Sequence, residues 1–207
     1  MINLHDDIEE TCYHDRGYLP HIERRQIQTI SFRLYDSVPK KVIDKWKEQL
    51  SIDKQTKASD PKMLHLRQLI YQYEDSGYGC CDLKDHRIAS LVTEALKYGH
   101  TKNYNLIRWC IMPNHVHVIV EMINNGNLSD IVNRWKSYTA HKANKLLRRT
   151  GQFWMSEYFD RYIRDAKHMA DAISYVDFNP VKANLVQRPE DWSWSSVGEN
   201  WNPSFFN

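Results

Sequence analysis

Residues 104–122, YNLIRWCIMPNHVHVIVEM, constrain the fold of this chain more than any other segment. The stretches 104–113 and 115–122 are rich in Val, Ile and aromatic residues, a composition typical of β-strands. Asn114 follows Pro113 at the break between them, where a turn is expected. The segment therefore predicts two neighbouring strands joined by a tight turn.

Two histidines, His115 and His117, lie in the second of these strands. Side chains at positions i and i+2 point to the same face of a strand, so both imidazoles leave the sheet side by side. Their ring nitrogens could supply two corners of a divalent metal site. Two histidines with satisfied hydrogen bonds on a half-buried strand would give the same pattern, and the pair alone does not decide.

The other periodic segments surround this strand pair with helices and two further strands. Strands are predicted at 26–35 and 157–165, and helices at 38–50, 85–99, 128–149 and 166–178, the last of them stopped by Pro180. The order predicts an α+β fold with a ferredoxin-like split βαβ core and an antiparallel sheet. In that arrangement both histidines lie on a central strand, and the other helices are additions to the core.

With 207 residues, the chain is expected to form a single domain over 1–207. Residues 1–25 are interpreted as an N-terminal extension, residues 51–82 as a helical insertion, and residues 188–207 as a C-terminal tail. The tail contains three of the seven tryptophans and should pack back on the body. No apolar run has the length of a membrane span and the N-terminus lacks a signal-peptide pattern, so we expect a cytoplasmic protein with no membrane partner.

A second group of candidate residues lies in SYVDFNPVKANLV, residues 174–186. Tyr175 and Asn179 are four residues apart, so both face the same side of a helix. A tyrosine can act as a covalent nucleophile, and an asparagine carbonyl oxygen can bind a hard metal ion. Alternatively, Asn179 could cap the next turn, with Pro180 at its first position, and Tyr175 could belong to the core.

The chain resembles the IS200-like single-tyrosine transposases and, more narrowly, the REP-associated tyrosine transposases of bacteria. The resemblance covers most of the chain from residue 17 onward, in family order. Its segments are FRLYDSVPKK (32–41), DSGYGCCDLKDHRIASLV (75–92), WCIMPNHVHVIVE (109–121), KSYTAHKANKLL (136–147), GQFWMSEYFDRYIRDAKHM (151–169), YVDFNPVKANLV (175–186) and WSWSS (192–196). The pairing of PNHVHV with NPVKA downstream is specific, whereas H-x-H alone is not.

The resemblance implies an HUH endonuclease, named for two histidines separated by a hydrophobic residue. His115 and His117 match two ligands of a divalent metal, Mg²⁺ or Mn²⁺, and Asn179 matches the third. Tyr175 matches the nucleophile. The implied substrate is single-stranded or hairpin DNA, such as a REP element, which is cut and rejoined through a 5′-phosphotyrosine intermediate. The implied protein works as a monomer or a homodimer.

Local clustering of positive charge supports DNA binding, since the formal net charge of the chain is only +2. The predicted helix 128–149 carries basic residues that could follow DNA phosphates: Arg134, Lys136, Lys142, Lys145, Arg148 and Arg149. An ordinary solvated helix explains the same residues. Two rival functions remain: a domesticated hairpin-binding protein that no longer cuts, and a metal hydrolase in which water is the nucleophile.

Overall fold

The computed structural model describes residues 13–15, 20–22, 27–57, 60–124 and 126–201. Most of the predicted N-terminal extension and the last six residues of the predicted tail lie outside these ranges. The strands are β1 (Tyr13–Asp15), β2 (Pro20–Ile22), β3 (Ile27–Arg33), β4 (Tyr104–Ile111), β5 (His115–Met122) and β6 (Phe159–Tyr162). The α-helices are α1 (Lys40–Gln49), α2 (Pro61–Asp75), α3 (His86–Tyr98), α4 (Leu128–Leu146) and α5 (Ala166–Lys182).

Strands β3 to β6 form one sheet in the order β4-β5-β3-β6, and every neighbouring pair is antiparallel. This is the order of a ferredoxin-like split βαβ core, so the predicted α+β fold is confirmed. Strand β5 lies between β4 and β3, which confirms that the two histidines occupy a central strand. The register places Arg33 opposite His115 and Ser31 opposite His117. Directly opposite residues share a face, so these four side chains leave the sheet on the same side.

The two faces of β5 are covered by different helices. Val116, Val118 and Val120 are fully buried in the core formed with α3 and α4. Each buried valine contributes about 1.5–3 kcal/mol relative to an exposed one. Ile119, on the opposite face, packs in a second cluster with Val176 of α5. The alternation of β5 therefore separates a purely apolar face from a face that carries the histidines.

Helix α5 continues through Pro180 to Lys182, so the prediction that Pro180 stops this helix is wrong. A proline lacks the N–H that would bond to the carbonyl four residues earlier, but here it lies in the last turn, where little helix follows it. The Ala183 N–H donates to the Asn179 carbonyl at 3.0 Å and closes that turn. Tyr175 and Asn179 consequently share one unbroken helix.

Helix α2 lies within the predicted insertion and starts at the N-cap Asp60, whose side chain accepts from the Lys62 N–H at 2.8 Å. Met63, Leu66 and Ile70 pack it against α1 and β6. No helix in the described ranges is long and apolar enough to cross a membrane.

The chain after α5 returns to β4, an edge strand of the sheet. Trp192 Nε1 donates to the Ile111 carbonyl at 3.0 Å, and Trp201 Nε1 donates to the Leu106 carbonyl at 3.2 Å. The tail, as far as the structure describes it, therefore packs on the body through two tryptophans that bond to the backbone of β4.

Candidate active site

Strand β5 presents His115 and His117 side by side, as their spacing predicts. Their ring centroids are 4.7 Å apart, and the residues are only 1% and 4% exposed. Burial lowers the pKa of His117 to about 3, and the charge of Lys182 acts in the same direction. The pKa of His115 is also held well below its usual value by burial, then by His117 and Arg33. Both imidazoles are therefore neutral near pH 7, and each keeps a nitrogen lone pair.

Asn114, in the turn before β5, fixes the tautomer of His115. The Asn114 Nδ2 donates to the carbonyl oxygens of Glu74 at 3.1 Å and Tyr78 at 2.8 Å. Its Oδ1 must then be the atom that meets His115 Nδ1 at 2.7 Å. Since an amide oxygen only accepts, His115 donates from Nδ1 and carries its lone pair on Nε2. The same bonds join the C-terminal end of α2 to the start of β5.

Helix α5 places Tyr175 against the histidine pair. The Tyr175 ring lies edge-on to the His117 ring, with centroids 5.2 Å apart. Burial raises the pKa of Tyr175, and the charges of neighbouring acidic groups raise it further, so the hydroxyl is protonated near pH 7. Asn179, one turn further on, is 1% exposed. Its amide lies beside the Tyr175 hydroxyl and opposes this rise in pKa, although it forms no hydrogen bond of ordinary geometry.

Several buried polar atoms of this region have no hydrogen-bond partner among the described residues: His115 Nε2, His117 Nε2, Asp75 Oδ1 and both polar side-chain atoms of Asn179. An unsatisfied buried polar atom costs about 1–3 kcal/mol, so such a cluster needs a reason. Ring nitrogens and amide oxygens are ligands of divalent cations. In the described ranges no three His, Cys, Asp or Glu side chains are placed to hold a metal ion by themselves. The Asn179 oxygen is a further atom of a type that could complete a cation site here.

Comparison with known families finds a match for the part of the chain that carries most of this site. Residues 83–179, which include both histidines, Tyr175 and Asn179, match the family model described as "Transposase IS200 like". This segment is similar to the IS200-like transposases. The family resemblance predicted from the sequence is confirmed.

Two further similarities extend the comparison. A stretch of 103 residues is 26% identical to the "Putative REP-associated tyrosine transposase" of Haemophilus influenzae (strain ATCC 51907 / DSM 11121 / KW20 / Rd) and covers 45% of this chain. It spans 58% of that relative, which is less than two thirds of its length. A solved structure, described as "Structure of the REP associates tyrosine transposase bound to a REP hairpin", shares the fold over 91% of this chain and 84% of its own, with a TM-score of 0.52 and 15% identity.

Asp75 and Lys182 also face the candidate active site, and the sequence did not predict either. Asp75 Oδ1 lies 3.6 Å from His115 Nε2, and burial raises the pKa of Asp75 to about 6 against the opposing charge of Lys182. Lys182 Nζ lies 4.8 Å from the centroid of the Tyr175 ring. One signal was available: Glu74 and Asp75 place two acids in the last turn of α2, where the helix dipole disfavours negative charge.

Glu74, the neighbour of Asp75 in the sequence, pairs with Arg33 of β3. The distance from Arg33 Nε to Glu74 Oε1 is 3.3 Å, and the two side chains are only 9% and 3% exposed. Burial raises the pKa of Glu74 to about 8, although the Arg33 charge acts against the rise. Because Arg33 lies opposite His115 in the sheet, this pair ties α2 to the strands beside the site.

The six basic residues predicted to bind DNA do not form one surface. Arg134, Lys142, Lys145 and Arg148 are exposed. Arg149 pairs with Asp82 at 2.6 Å.

Lys136 is buried, and its Nζ donates to the Ser156 carbonyl at 2.6 Å. Its inclusion in a phosphate-binding surface is therefore wrong. Lys136 falls on the helical stripe of Val132 and Thr139, which faces the core. Helix α4 as a whole covers the valine face of the sheet, opposite the histidines.

Proposed function

We propose that this protein is a metal-dependent transposase that cuts and rejoins hairpin-bearing single-stranded DNA, such as a REP element, through a 5′-phosphotyrosine intermediate. The observation that carries the proposal is the contact of Tyr175 with His117 beside buried atoms that have no hydrogen-bond partner among the described residues and are of types that can bind a divalent metal. The match to IS200-like transposases supports DNA as the substrate. The solved structure with the same fold is bound to a REP hairpin, as its description states, which supports hairpin recognition.

The nucleophilic step is assigned to Tyr175. Its hydroxyl oxygen forms a bond to the scissile phosphorus, and the bond from phosphorus to the 3′-oxygen breaks. The phenol loses one proton to the solvent, and the departing 3′-oxygen takes one up and leaves as a hydroxyl. A Mg²⁺ or Mn²⁺ ion bound by His115, His117 and Asn179 would polarise the phosphate oxygens. Burial of the Tyr175 hydroxyl favours its protonated form and so opposes loss of the proton. The positive charge of Lys182, beside the Tyr175 ring, would help stabilise the oxygen as the proton leaves.

Rejoining uses the same residues in reverse. The phosphotyrosine bond replaces one phosphodiester bond, so a 3′-hydroxyl of another strand can attack it without an external energy source. Tyr175 is then the leaving group and recovers its proton.

The form of the DNA provides the first test. We expect a covalent adduct with a single-stranded hairpin oligonucleotide and Mn²⁺, and none with the fully duplex form of the same sequence. The reason is that Tyr175 lies in a half-buried site, which a phosphate can reach only where the bases beside it can be displaced. A denaturing gel measures the adduct. Equal adduct formation with both forms would contradict the proposed substrate.

The same gel separates the rival functions. Hairpin binding without any adduct in Mn²⁺ would indicate a domesticated DNA-binding protein. Free cut ends without an adduct would indicate a hydrolase in which water attacks. Either result would overturn the proposed function.

Salt dependence tests the exposed basic surface of α4. If Lys142 and Lys145 contact phosphates of single-stranded DNA, the slope of log K against log salt is negative. Changing both lysines to Ala should reduce the magnitude of this slope by about 1.4. Lys136→Met is the matched control, because a buried lysine bonded to Ser156 should not change the slope. Fluorescence anisotropy over a range of NaCl concentrations measures both. An unchanged slope in the double variant would place the DNA on another surface.

A further inference from the structure

The proposed cation site lacks negative charge. Two neutral imidazoles and one amide carry none, whereas hard divalent cations are usually bound by at least one carboxylate. Glu74 does not supply it, because its carboxylate is paired with Arg33. Asp75 is the neighbouring acid, and its Oδ1 is buried without a hydrogen-bond partner in the described part of the chain.

Asp75 Oδ1 faces the lone-pair nitrogen of His115 across a short gap. The two atoms, Asp75 Oδ1 and His115 Nε2, are 3.6 Å apart, which is too long for a hydrogen bond. Because Asn114 holds the proton of His115 on Nδ1, Nε2 carries a lone pair. Both atoms are buried, and neither has a hydrogen-bond partner among the described residues. A cation and its bound water would satisfy both of them.

The backbone on both sides of Asp75 is held in place. Asn114 bonds to the carbonyl oxygens of Glu74 and Tyr78, and the Glu74 side chain bonds to Arg33. These contacts fix the end of α2 against β5 and β3. The docking of the helix therefore places Asp75 beside His115.

We propose that Asp75 is the anionic member of the cation site, an inference that rests on the proposed function. Its carboxylate balances the charge of a cation bound by His115, His117 and Asn179, and accepts hydrogen bonds from the water molecules that a hard cation retains. Among the described residues, no three acid or imidazole side chains are placed to bind one cation directly. Asp75 is therefore assigned to the shell of groups around the cation's ligands, as a positioning residue. Asp75 also lies outside residues 83–179, the part matched by the family model.

Direct titration of Mn²⁺ into the DNA-free protein tests this role, with electron paramagnetic resonance counting the free ion. Asp75→Asn keeps the shape of the side chain and removes its charge, and it should weaken Mn²⁺ binding by about tenfold or more, as loss of an outer-shell partner does. Asp75→Glu keeps the charge and should restore most of the affinity. Asp171→Asn, an exposed aspartate on α5, is the control and should bind as wild type does.

Thermal unfolding of each variant with and without Mn²⁺ separates binding from folding. The shift caused by Mn²⁺ is compared within one variant, so a variant of lower stability is still informative. The shift should be smaller for Asp75→Asn than for Asp171→Asn. Wild-type affinity and a wild-type shift in Asp75→Asn would overturn the role of Asp75. Absence of Mn²⁺ binding in the wild type, or unchanged binding in His117→Ala, would instead overturn the proposed function.

Discussion

Tyr175→Phe is expected to abolish the covalent protein–DNA adduct and to leave hairpin binding close to that of the wild type. The substitution removes only the hydroxyl, which is the proposed nucleophile. The ring and its contacts with His117 and Lys182 remain. Denaturing gels measure the adduct, and anisotropy measures the binding. Because no other group would replace the lost oxygen, the loss should reach the detection limit of the gel.

Tyr71→Phe is the matched control for this experiment. Tyr71 is a second tyrosine on the same face, with its ring 6.2 Å from the His117 ring and its hydroxyl 3.2 Å from Ser31 Oγ. Loss of the Tyr71 hydroxyl should leave formation of the adduct unchanged. An adduct that persists in Tyr175→Phe and disappears in Tyr71→Phe would move the nucleophile to Tyr71.

Glu74→Leu is expected to lower the free energy of unfolding by about 3–5 kcal/mol, the usual cost of removing one partner of a buried ion pair. The guanidinium of Arg33 would remain buried and charged, since an arginine does not release its proton. Urea denaturation followed by tryptophan fluorescence measures the change.

Arg33→Met provides the control, because it leaves an acid that can become neutral. Burial already raises the pKa of Glu74 to about 8, so at pH 7 Glu74 can take up a proton and the loss should be smaller than in Glu74→Leu. A raised pKa means that the folded state binds more protons than the unfolded state. The free energy of unfolding of Arg33→Met should therefore fall as the pH rises from the ordinary pKa of Glu74, 4.5, through its raised pKa of about 8. Equal losses in both variants, independent of pH, would show that packing and not charge is responsible.

The strand pair at the centre of the fold was predictable because its signals are local. Strand β5 begins and ends as predicted, at His115 and Met122, since the apolar run is bounded by a turn on one side and polar residues on the other. The end of α5 was not predictable from the proline rule. That rule describes a helix interior, whereas Pro180 removes one bond from a final turn that Ala183 closes.

The candidate site was predictable only where its residues are close in sequence. The spacings of His115 with His117 and of Tyr175 with Asn179 define shared faces of a strand and a helix. Asp75 contacts His115, which lies 40 positions later in the sequence. This contact depends on how Asn114 and Glu74 dock α2 on the sheet. No periodic pattern describes such docking. The burial of Lys136 was predictable in principle, since it shares a helical stripe with Val132.

The tail has a consequence for assembly that follows from its contacts with β4. Residues 194–196 run antiparallel to the end of that strand: the Ile111 N–H donates to the Trp194 carbonyl at 2.8 Å, and the Ser196 N–H donates to the Trp109 carbonyl at 2.9 Å. Backbone groups at an open sheet edge are a template for pairing with another chain. In this protein, residues 194–196 of the same chain already occupy part of the β4 edge. A second copy could continue the sheet at this end of β4 only after residues 194–196 are displaced from it, so we expect assembly through this edge to be slow and to depend on partial unfolding.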